Sequence, residues 1–151
     1  MIDMQKWQEI AKANIHSRPA TTGRLAGKIA IVTGSAQGFG KGIAEEMYKE
    51  GASIVIADLN EELAASVAAE MGERAVCVKV NVSDEESVAA LVQQTVEHFG
   101  GLDIFVSNAG VVRSGALDQL EKKDFDFVTS INYTAYFLCA KYAAVIMKAE
   151  H

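Results

Sequence analysis

Glycines and one carboxylate stand where a phosphate-binding turn requires them. Residues 33–40, Thr-Gly-Ser-Ala-Gln-Gly-Phe-Gly, lie between an apolar run and a segment of helical periodicity. Glycines permit a tight turn and a close approach to a pyrophosphate, whose charge the amino end of the helix stabilises. Asp58 ends the next apolar run, where a carboxylate can accept both hydroxyls of a ribose. The alternative is a strand–helix turn that needs small residues and binds no ligand.

The charges around Asp58 separate two dinucleotide classes. A carboxylate repels a 2′-phosphate, and no cation stands close by in the sequence to offset that repulsion. Position 37 is Gln, and Leu59 and Asn60 follow the acid. We therefore expect NAD rather than NADP as the cofactor, the alternative for Asp58 being a solvated acid at a strand end.

Apolar runs that alternate with helical patterns predict the elements that position these residues. We expect strands at about 29–32, 53–57, 75–80 and 104–106. Helices should follow each strand, with Asn60 capping the second, Ser83 capping the third in a capping box with Glu86, and one long last helix over 122–148. Such βαβ units predict an α/β fold with a Rossmann-like, doubly wound parallel sheet of strand order 3-2-1-4.

Residues 1–24 differ from the rest of the chain. A short amphipathic helix is expected over about residues 3–15, and the only proline, Pro19, lies in the polar stretch that follows. We interpret 1–24 as an N-terminal arm or linker and 25–151 as an incomplete NAD-binding domain. A helix that docks on a further domain is the alternative for the arm.

Composition excludes several classes of function. The net charge is −6 and no stretch is rich in Lys or Arg, which argues against nucleic-acid and anionic membrane partners. No apolar run approaches the length of a membrane span. The three histidines lie far apart without ligands at metal-binding spacing, so we expect no metal site. Cys77 and Cys139 are expected to be buried reduced thiols, and the compartment to be the cytoplasm.

Residues 25–149 resemble the short-chain dehydrogenases/reductases. The resemblance rests on the glycine pattern of residues 33–40, on Asp58, on Ser107-Asn108-Ala109-Gly110 and on Asn132. It departs at Ser107, where the family usually has Asn, and at Asn81-Val82, where it usually has Asp-Val. The resemblance implies that the acid reaches the adenine amino group, a bond that the amide oxygen of Asn81 could also accept. The implied cofactor contacts are Gly34, Ser35, Gln37, Gly38, Phe39, Gly40, Asp58, Leu59, Asn81, Val82, Asn108, Ala109 and Gly110.

The resemblance identifies one of the family's four catalytic residues. Asn132 matches the Asn of the family's Asn-Ser-Tyr-Lys residues, where it holds a water in a proton relay; the alternative is a solvated helix position. No Tyr in the sequence has a Lys four residues later. We therefore expect the chain to bind NAD as part of an enzyme acting on a small alcohol or carbonyl substrate, and to be inactive alone. A non-catalytic NAD-binding module is the alternative.

Three narrower expectations also follow from the resemblance. Residues 36–40 and the N-terminal arm are similar to sugar-alcohol dehydrogenases, or to the dehydrogenase half of bifunctional rhamnulose-phosphate aldolase/alcohol dehydrogenases. The last helix would contribute to a homo-oligomer interface, and Arg113 or Ser114 would touch substrate. The residues expected to face a partner are Tyr136, Phe137, Cys139 and Ala140.

Overall fold

A computed structural model describes all of residues 1–151. Four parallel strands form one sheet of order β3-β2-β1-β4, as the sequence predicted. In chain order the elements are α1 Gln5–Asn14, β1 Ile29–Thr33, α2 Gly38–Lys49, β2 Ser53–Asp58, α3 Glu61–Met71, β3 Ala75–Lys79, α4 Glu85–Phe99, β4 Ile104–Val106, α5 Lys122–Thr129, a π-helical turn Ser130–Thr134 and α6 Ala135–Glu150.

The two central strands are buried on both faces, which explains their continuous apolar runs. Successive side chains of β1 point to opposite faces, so Ile31 packs with α4 and α6 while Ala30 and Val32 pack with α2 and α3. β2 divides in the same way, with Val55 on the first face and Ile54 on the second. Two separate hydrophobic cores therefore flank the sheet, and the fold is doubly wound.

Two helix predictions need correction. The cap of α4 is Asp84, whose Oδ2 accepts a hydrogen bond from the Ser87 N–H at 3.1 Å, so the expected Ser83 capping box is wrong. The carboxylate there accepts from an amide that would otherwise be free, and its negative charge interacts favourably with the positive end of the helix dipole. The single last helix expected over 122–148 is instead divided into α5, the π-helical turn and α6. Asn60 does cap α3, since its Oδ1 accepts from Leu63 N–H at 3.1 Å.

The N-terminal helix α1 packs on α4 and α6 of this same chain. Met4 and Ala11 are buried in the core on that side of the sheet. Beyond α1, Arg18 forms an ion pair with Glu150, whose Oε1 also accepts from the Leu102 N–H at 3.2 Å. Burial raises the pKa of the Glu150 carboxyl against the opposing effect of Arg18. Residues 1–24 are thus anchored on the domain, while the domain boundary at residue 24 stays a prediction.

The two cysteines each differ from one expectation, Cys77 in its burial and Cys139 in its expected contact with a partner. Cys139 is buried but Cys77 is only partly buried, and both thiols are free. Because Cys139 is buried, it cannot face a partner, whereas the neighbouring Tyr136 and Phe137 are exposed. No helix of the structure is both long enough and apolar enough to cross a membrane.

Candidate functional site

The turn after β1 depends on glycine at three points. Gly34 and Gly38 have φ angles of +64° and +58°, in the left-handed region that side chains disfavour. A Cβ on Gly40 would lie 2.2 Å from the Gly34 carbonyl oxygen, so only glycine lets α2 approach the turn this closely. No side chain caps α2, and the amides of residues 38–40 have no acceptor within the chain. These free N–H groups and the helix dipole form a site for an anion.

Ser35 has a structural role, contrary to the expectation that it contacts a cofactor. Its side chain is fully buried, and its Oγ donates to the Val32 carbonyl at 2.6 Å and accepts from the Ala57 N–H at 3.1 Å. The hydroxyl thereby bonds to both β1 and β2 beneath the turn. Nothing of Ser35 is exposed to a ligand.

Asp58 lies at the end of β2, next to the glycine turn. Its Oδ2 accepts from the Ala36 N–H at 3.0 Å, and its Oδ1 accepts from the Asn60 N–H at 3.0 Å. Each carboxylate oxygen has a second lone pair, so both oxygens can still accept from a ligand. The two backbone bonds fix the direction of the carboxylate, which places a negative charge at a defined distance from the turn.

Asn108 connects the loop after β4 to the glycine turn. Its Nδ2 donates to the carbonyl oxygens of Thr33 at 2.9 Å and Gly34 at 3.2 Å. The Thr33 Oγ1 accepts from the N–H groups of Asn108 at 3.0 Å and Ala109 at 3.1 Å. The resemblance implied that this segment stabilises the sheet and lines the cofactor site. The structure shows it bonded to the end of β1 and lining a cavity at the strand ends, and contact with a cofactor stays a prediction.

Asn132 lies in the π-helical turn and holds the loop that follows Gly110. Its Oδ1 accepts from the Val111 N–H and its Nδ2 donates to the Val111 carbonyl, both at 2.8 Å. The widened turn between α5 and α6 is the kind of local irregularity that often marks a functional position in a helix. Both polar groups of the Asn132 side chain are therefore hydrogen-bonded to the backbone of Val111.

A cavity of about 420 Å³ runs along the carboxyl ends of the strands, within the range typical of ligand clefts. The strand order reverses direction between β1 and β4, and such a switch point is where open α/β sheets bind ligands. Ser35, Gly38 and Asn132 do not line the cavity. Its lining includes these residues expected from the sequence: Gly34, Gln37, Phe39, Gly40, Asp58, Leu59, Asn81, Val82, Asn108, Ala109 and Gly110.

Three lining residues escaped the sequence analysis. They are Val80, Val111 and Ile131. Each directly precedes or follows a residue that the analysis did single out, so adjacency to Asn81, Gly110 and Asn132 was the available signal. Phe39, one of the implied cofactor contacts, lines the cavity with a side chain that is 93% exposed.

Comparison with known proteins shows the family to which the chain belongs. The family model described as short chain dehydrogenase matches residues 28–151, which include the glycine turn, Asp58, Asn108 and Asn132. The chain belongs to the short-chain dehydrogenase family. Because 124 of the 151 residues fall within that match, the assignment covers the whole sheet and every residue that lines the cavity.

Individual relatives show the extent of the similarity. Tropinone reductase-like 1 of Erythroxylum coca is 40% identical over 128 residues, which is 82% of this chain and 47% of that protein. (+)-Borneol dehydrogenase 1 of Salvia officinalis is 38% identical over 135 residues, covering 88% and 52%. The chain thus spans about half the length of the curated relatives it matches.

A solved structure of a reductase has the same fold. It is a 3-ketoacyl-(acyl-carrier-protein) reductase from Brucella melitensis complexed with NADH, with a TM-score of 0.75 and 36% identity. The superposition covers 78% of this chain and 49% of that one. It confirms the Rossmann-like arrangement of the strands.

Proposed function

We propose that this chain is the cofactor-binding part of an NAD-dependent oxidoreductase that interconverts an alcohol and a carbonyl compound. The main observation in support is the position of the Asp58 carboxylate. The backbone N–H groups of Ala36 and Asn60 hold it beside the free N–H groups of residues 38–40. If the ribose hydroxyls of a dinucleotide bind to Asp58, the pyrophosphate next to that ribose lies at the amino end of α2. Family membership and the NADH-bound relative support a nicotinamide cofactor.

The residues present fit a dinucleotide at three points. The unpaired amides match a pyrophosphate, the fixed carboxylate matches a diol, and a cleft lined by both polar and apolar groups matches the rings. The bound cofactor would supply hydride transfer. Asn108 and Asn132 would keep the walls of the cleft in place, because their amides bind the backbone of the glycine turn and of Val111.

The preference for NAD over NADP is part of this proposal. A 2′-phosphate at Asp58 would meet a carboxylate that two backbone N–H groups hold in place. Gln37 of the glycine turn lines the same cavity as Asp58, and its side chain carries no charge that could offset the repulsion. The nearest cation of α2, Lys41, pairs with Glu45 at 3.8 Å and Glu70 at 3.4 Å.

Titration calorimetry of the folded chain with NAD and NADP tests the proposal. We expect NAD to bind more tightly, and Asp58→Ser to weaken NAD binding while narrowing the difference between the two cofactors. Glu62→Ser, which removes an exposed charge on α3 outside the cavity, is the matched control and should leave the ratio unchanged. Failure of a folded sample to bind either nucleotide would contradict the proposal.

A non-catalytic NAD-binding module is the second candidate, and the positions of the tyrosines favour it for these 151 residues taken alone. Tyr142 is buried and donates to Glu85 Oε1 at 2.9 Å, while Tyr48 stacks on Arg74. Tyr133 and Tyr136 are exposed, and no Tyr or Lys lines the cavity. We therefore propose that the chain alone does not reduce NAD, and measurable turnover of an alcohol would contradict this.

Finer parts of the proposal concern the substrate, the parent protein and the assembly. A sugar-derived substrate and a bifunctional aldolase/alcohol dehydrogenase parent rest on the resemblance of residues 36–40 and the N-terminal arm. Substrate contact by Arg113 or Ser114 rests on their place in an exposed loop, where Arg113 stacks on Phe127 at 4.7 Å. A homo-oligomer is supported by exposed Tyr136 and Phe137 on α6, and light scattering would reveal a monomer if it is wrong.

A further inference from the structure

The segment after β3 is placed to contact the base of a bound dinucleotide. The Val80 N–H donates to the Asp58 carbonyl at 3.0 Å, so residues 80–82 lie directly beside the ribose position. The sheet order puts β3 on the side of β2 that is away from the glycine turn. With the pyrophosphate at α2 and the ribose on Asp58, the base must therefore extend over this segment, where Asn81 and Val82 line the cavity.

Almost every polar group of Asn81 is already engaged within its own segment. Its backbone N–H donates to Ser87 Oγ at 2.9 Å, and its carbonyl accepts from the Asp84 N–H at 3.1 Å. Its Oδ1 accepts from the Ser83 N–H at 3.2 Å and from Ser83 Oγ at 2.8 Å. A backbone N–H can only donate, so the atom facing Ser83 must be the oxygen of the amide.

Because Oδ1 of Asn81 already accepts two hydrogen bonds from Ser83, the side-chain amide can offer a ligand only its Nδ2 donor. Its Nδ2 has no partner in the chain, although the side chain is exposed and the residue lines the cavity. Adenine presents an amino donor at C6 beside a ring-nitrogen acceptor, whereas a 6-oxopurine presents an acceptor at C6. An NH2 group can donate to either acceptor, but it cannot accept from the adenine amino group.

We propose that Asn81 contacts the purine of the dinucleotide through its free Nδ2 donor and therefore gives no preference for a 6-aminopurine over a 6-oxopurine. The inference rests on the proposed function, since it requires a dinucleotide in this cleft. It also corrects the expectation that the amide oxygen of Asn81 accepts from adenine. The chemical class of ligand is a nicotinamide purine dinucleotide, with hypoxanthine accepted as well as adenine.

The test compares NAD with nicotinamide hypoxanthine dinucleotide by titration calorimetry. Both carry the same charge and differ only in the purine, so the ratio of their Kd values cancels the electrostatics of the site. We expect the two Kd values of the unmodified chain to agree within about threefold, a difference well below 1.4 kcal/mol. A preference for NAD greater than tenfold would overturn the inference.

Asn81→Asp provides the second arm. One carboxylate oxygen can remain on Ser83, and the other then faces the base as an acceptor. We expect the ratio to shift about tenfold toward NAD, because a carboxylate pairs with an amino group and repels a 6-oxo group. Gln94→Glu adds the same charge at an exposed position of α4 outside the cavity and should leave the ratio unchanged.

The outcomes separate the two proposals. An unchanged ratio in Asn81→Asp, with NAD still binding, would overturn the role of Asn81 and leave the proposed function intact. Absence of binding by both dinucleotides to folded, unmodified chain would overturn both. Near-equal binding that becomes selective only in Asn81→Asp supports the inference.

Discussion

Thr33 and Asn108 are 75 positions apart in sequence, yet two hydrogen bonds join them directly. The Asn108 N–H donates to the Thr33 Oγ1 at 3.0 Å, and the Asn108 Nδ2 donates to the Thr33 carbonyl at 2.9 Å. The fully buried Thr33 hydroxyl also donates to the Val106 carbonyl. Through this contact the two walls of the cleft, one after β1 and one after β4, become a single unit.

Replacing this hydroxyl should destabilise the domain. Thr33→Val keeps the shape but leaves the Asn108 and Ala109 amides without their acceptor, so we expect unfolding to become easier by about 1–3 kcal/mol. Thr33→Ser keeps the hydroxyl and should retain most of the stability. Urea unfolding followed by circular dichroism measures both. A loss in Thr33→Ser as large as the loss in Thr33→Val would contradict a dominant role of the hydroxyl hydrogen bonds.

Two helical glycines of α2 should respond in opposite ways to alanine. At Gly40 a Cβ would meet the Gly34 carbonyl at 2.2 Å, whereas at Gly42 nothing lies within 4 Å. We expect Gly40→Ala to displace α2 from the turn and to abolish NAD binding. Gly42→Ala should be neutral or raise the unfolding free energy by up to about 1 kcal/mol, since alanine favours helix. Calorimetry and thermal melts of both variants check this, and retained binding in Gly40→Ala would contradict the close packing.

Loss of the Asn132 amide should free the loop after Gly110. Asn132→Ala removes both hydrogen bonds to Val111, so we expect faster hydrogen exchange at residues 110–112 and a stability loss of about 1 kcal/mol. Asn132→Asp keeps an acceptor for the Val111 N–H but cannot donate to its carbonyl, so only one of the two hydrogen bonds should survive. Tyr133→Phe, at the exposed neighbouring position, is the control. Unchanged exchange in Asn132→Ala would refute the coupling.

Removal of the Arg18 guanidinium should reveal how firmly residues 1–24 are bound to the domain. Arg18→Met leaves the Glu150 carboxylate, 1% exposed, without its cation, for which we expect a loss of about 3–5 kcal/mol in urea unfolding. Arg24→Met removes an exposed, solvent-screened pair with Glu50 and should cost far less stability than Arg18→Met. Burial raises the pKa of Glu150, so the Arg18→Met loss should shrink as the pH falls and that carboxyl gains a proton. Similar losses in the two variants would refute this role of Arg18.

The Cys139 thiol should resist alkylation in the folded chain. Burial raises its pKa from 9.0 to about 11, against a smaller opposing effect from Ser107. At pH 8 the thiolate fraction is therefore about a hundredfold smaller than for an ordinary thiol, in addition to the steric protection. Iodoacetamide labelling read by mass spectrometry should modify Cys77 first, and Cys77→Ser should leave a chain that reacts only after denaturation.

The same shift has a consequence for stability. Above pH 9.0 the unfolded chain releases the Cys139 proton while the folded chain keeps it up to about pH 11. Folding stability therefore falls as pH rises through this range, and Cys139→Ala should flatten that part of the profile. Rapid labelling of Cys139 in the native state would contradict the burial.

Local chemistry was sufficient to predict the sheet and most of the cleft. The runs of β1 and β2 are apolar at every position because both faces are covered, and glycine at 34, 38 and 40 is required by backbone geometry. Right-handed crossovers then left one strand order. Asp58 follows from the same logic, since the carboxyl ends of adjacent parallel strands share one edge.

Only the tertiary structure decided where the polar atoms point. Ser35 turns into the sheet to bond β1 and β2, and Asn81 turns its oxygen to Ser83. The widened turn at Asn132 forms where its amide meets Val111, 21 residues away, and α1 settles on α4 and α6. A periodic pattern records which residues are apolar, but a hydrogen-bond partner depends on distances between segments remote in the chain. For this reason the sequence by itself determined the fold and the position of the cleft, while the folded structure determined which atoms its residues present to a ligand.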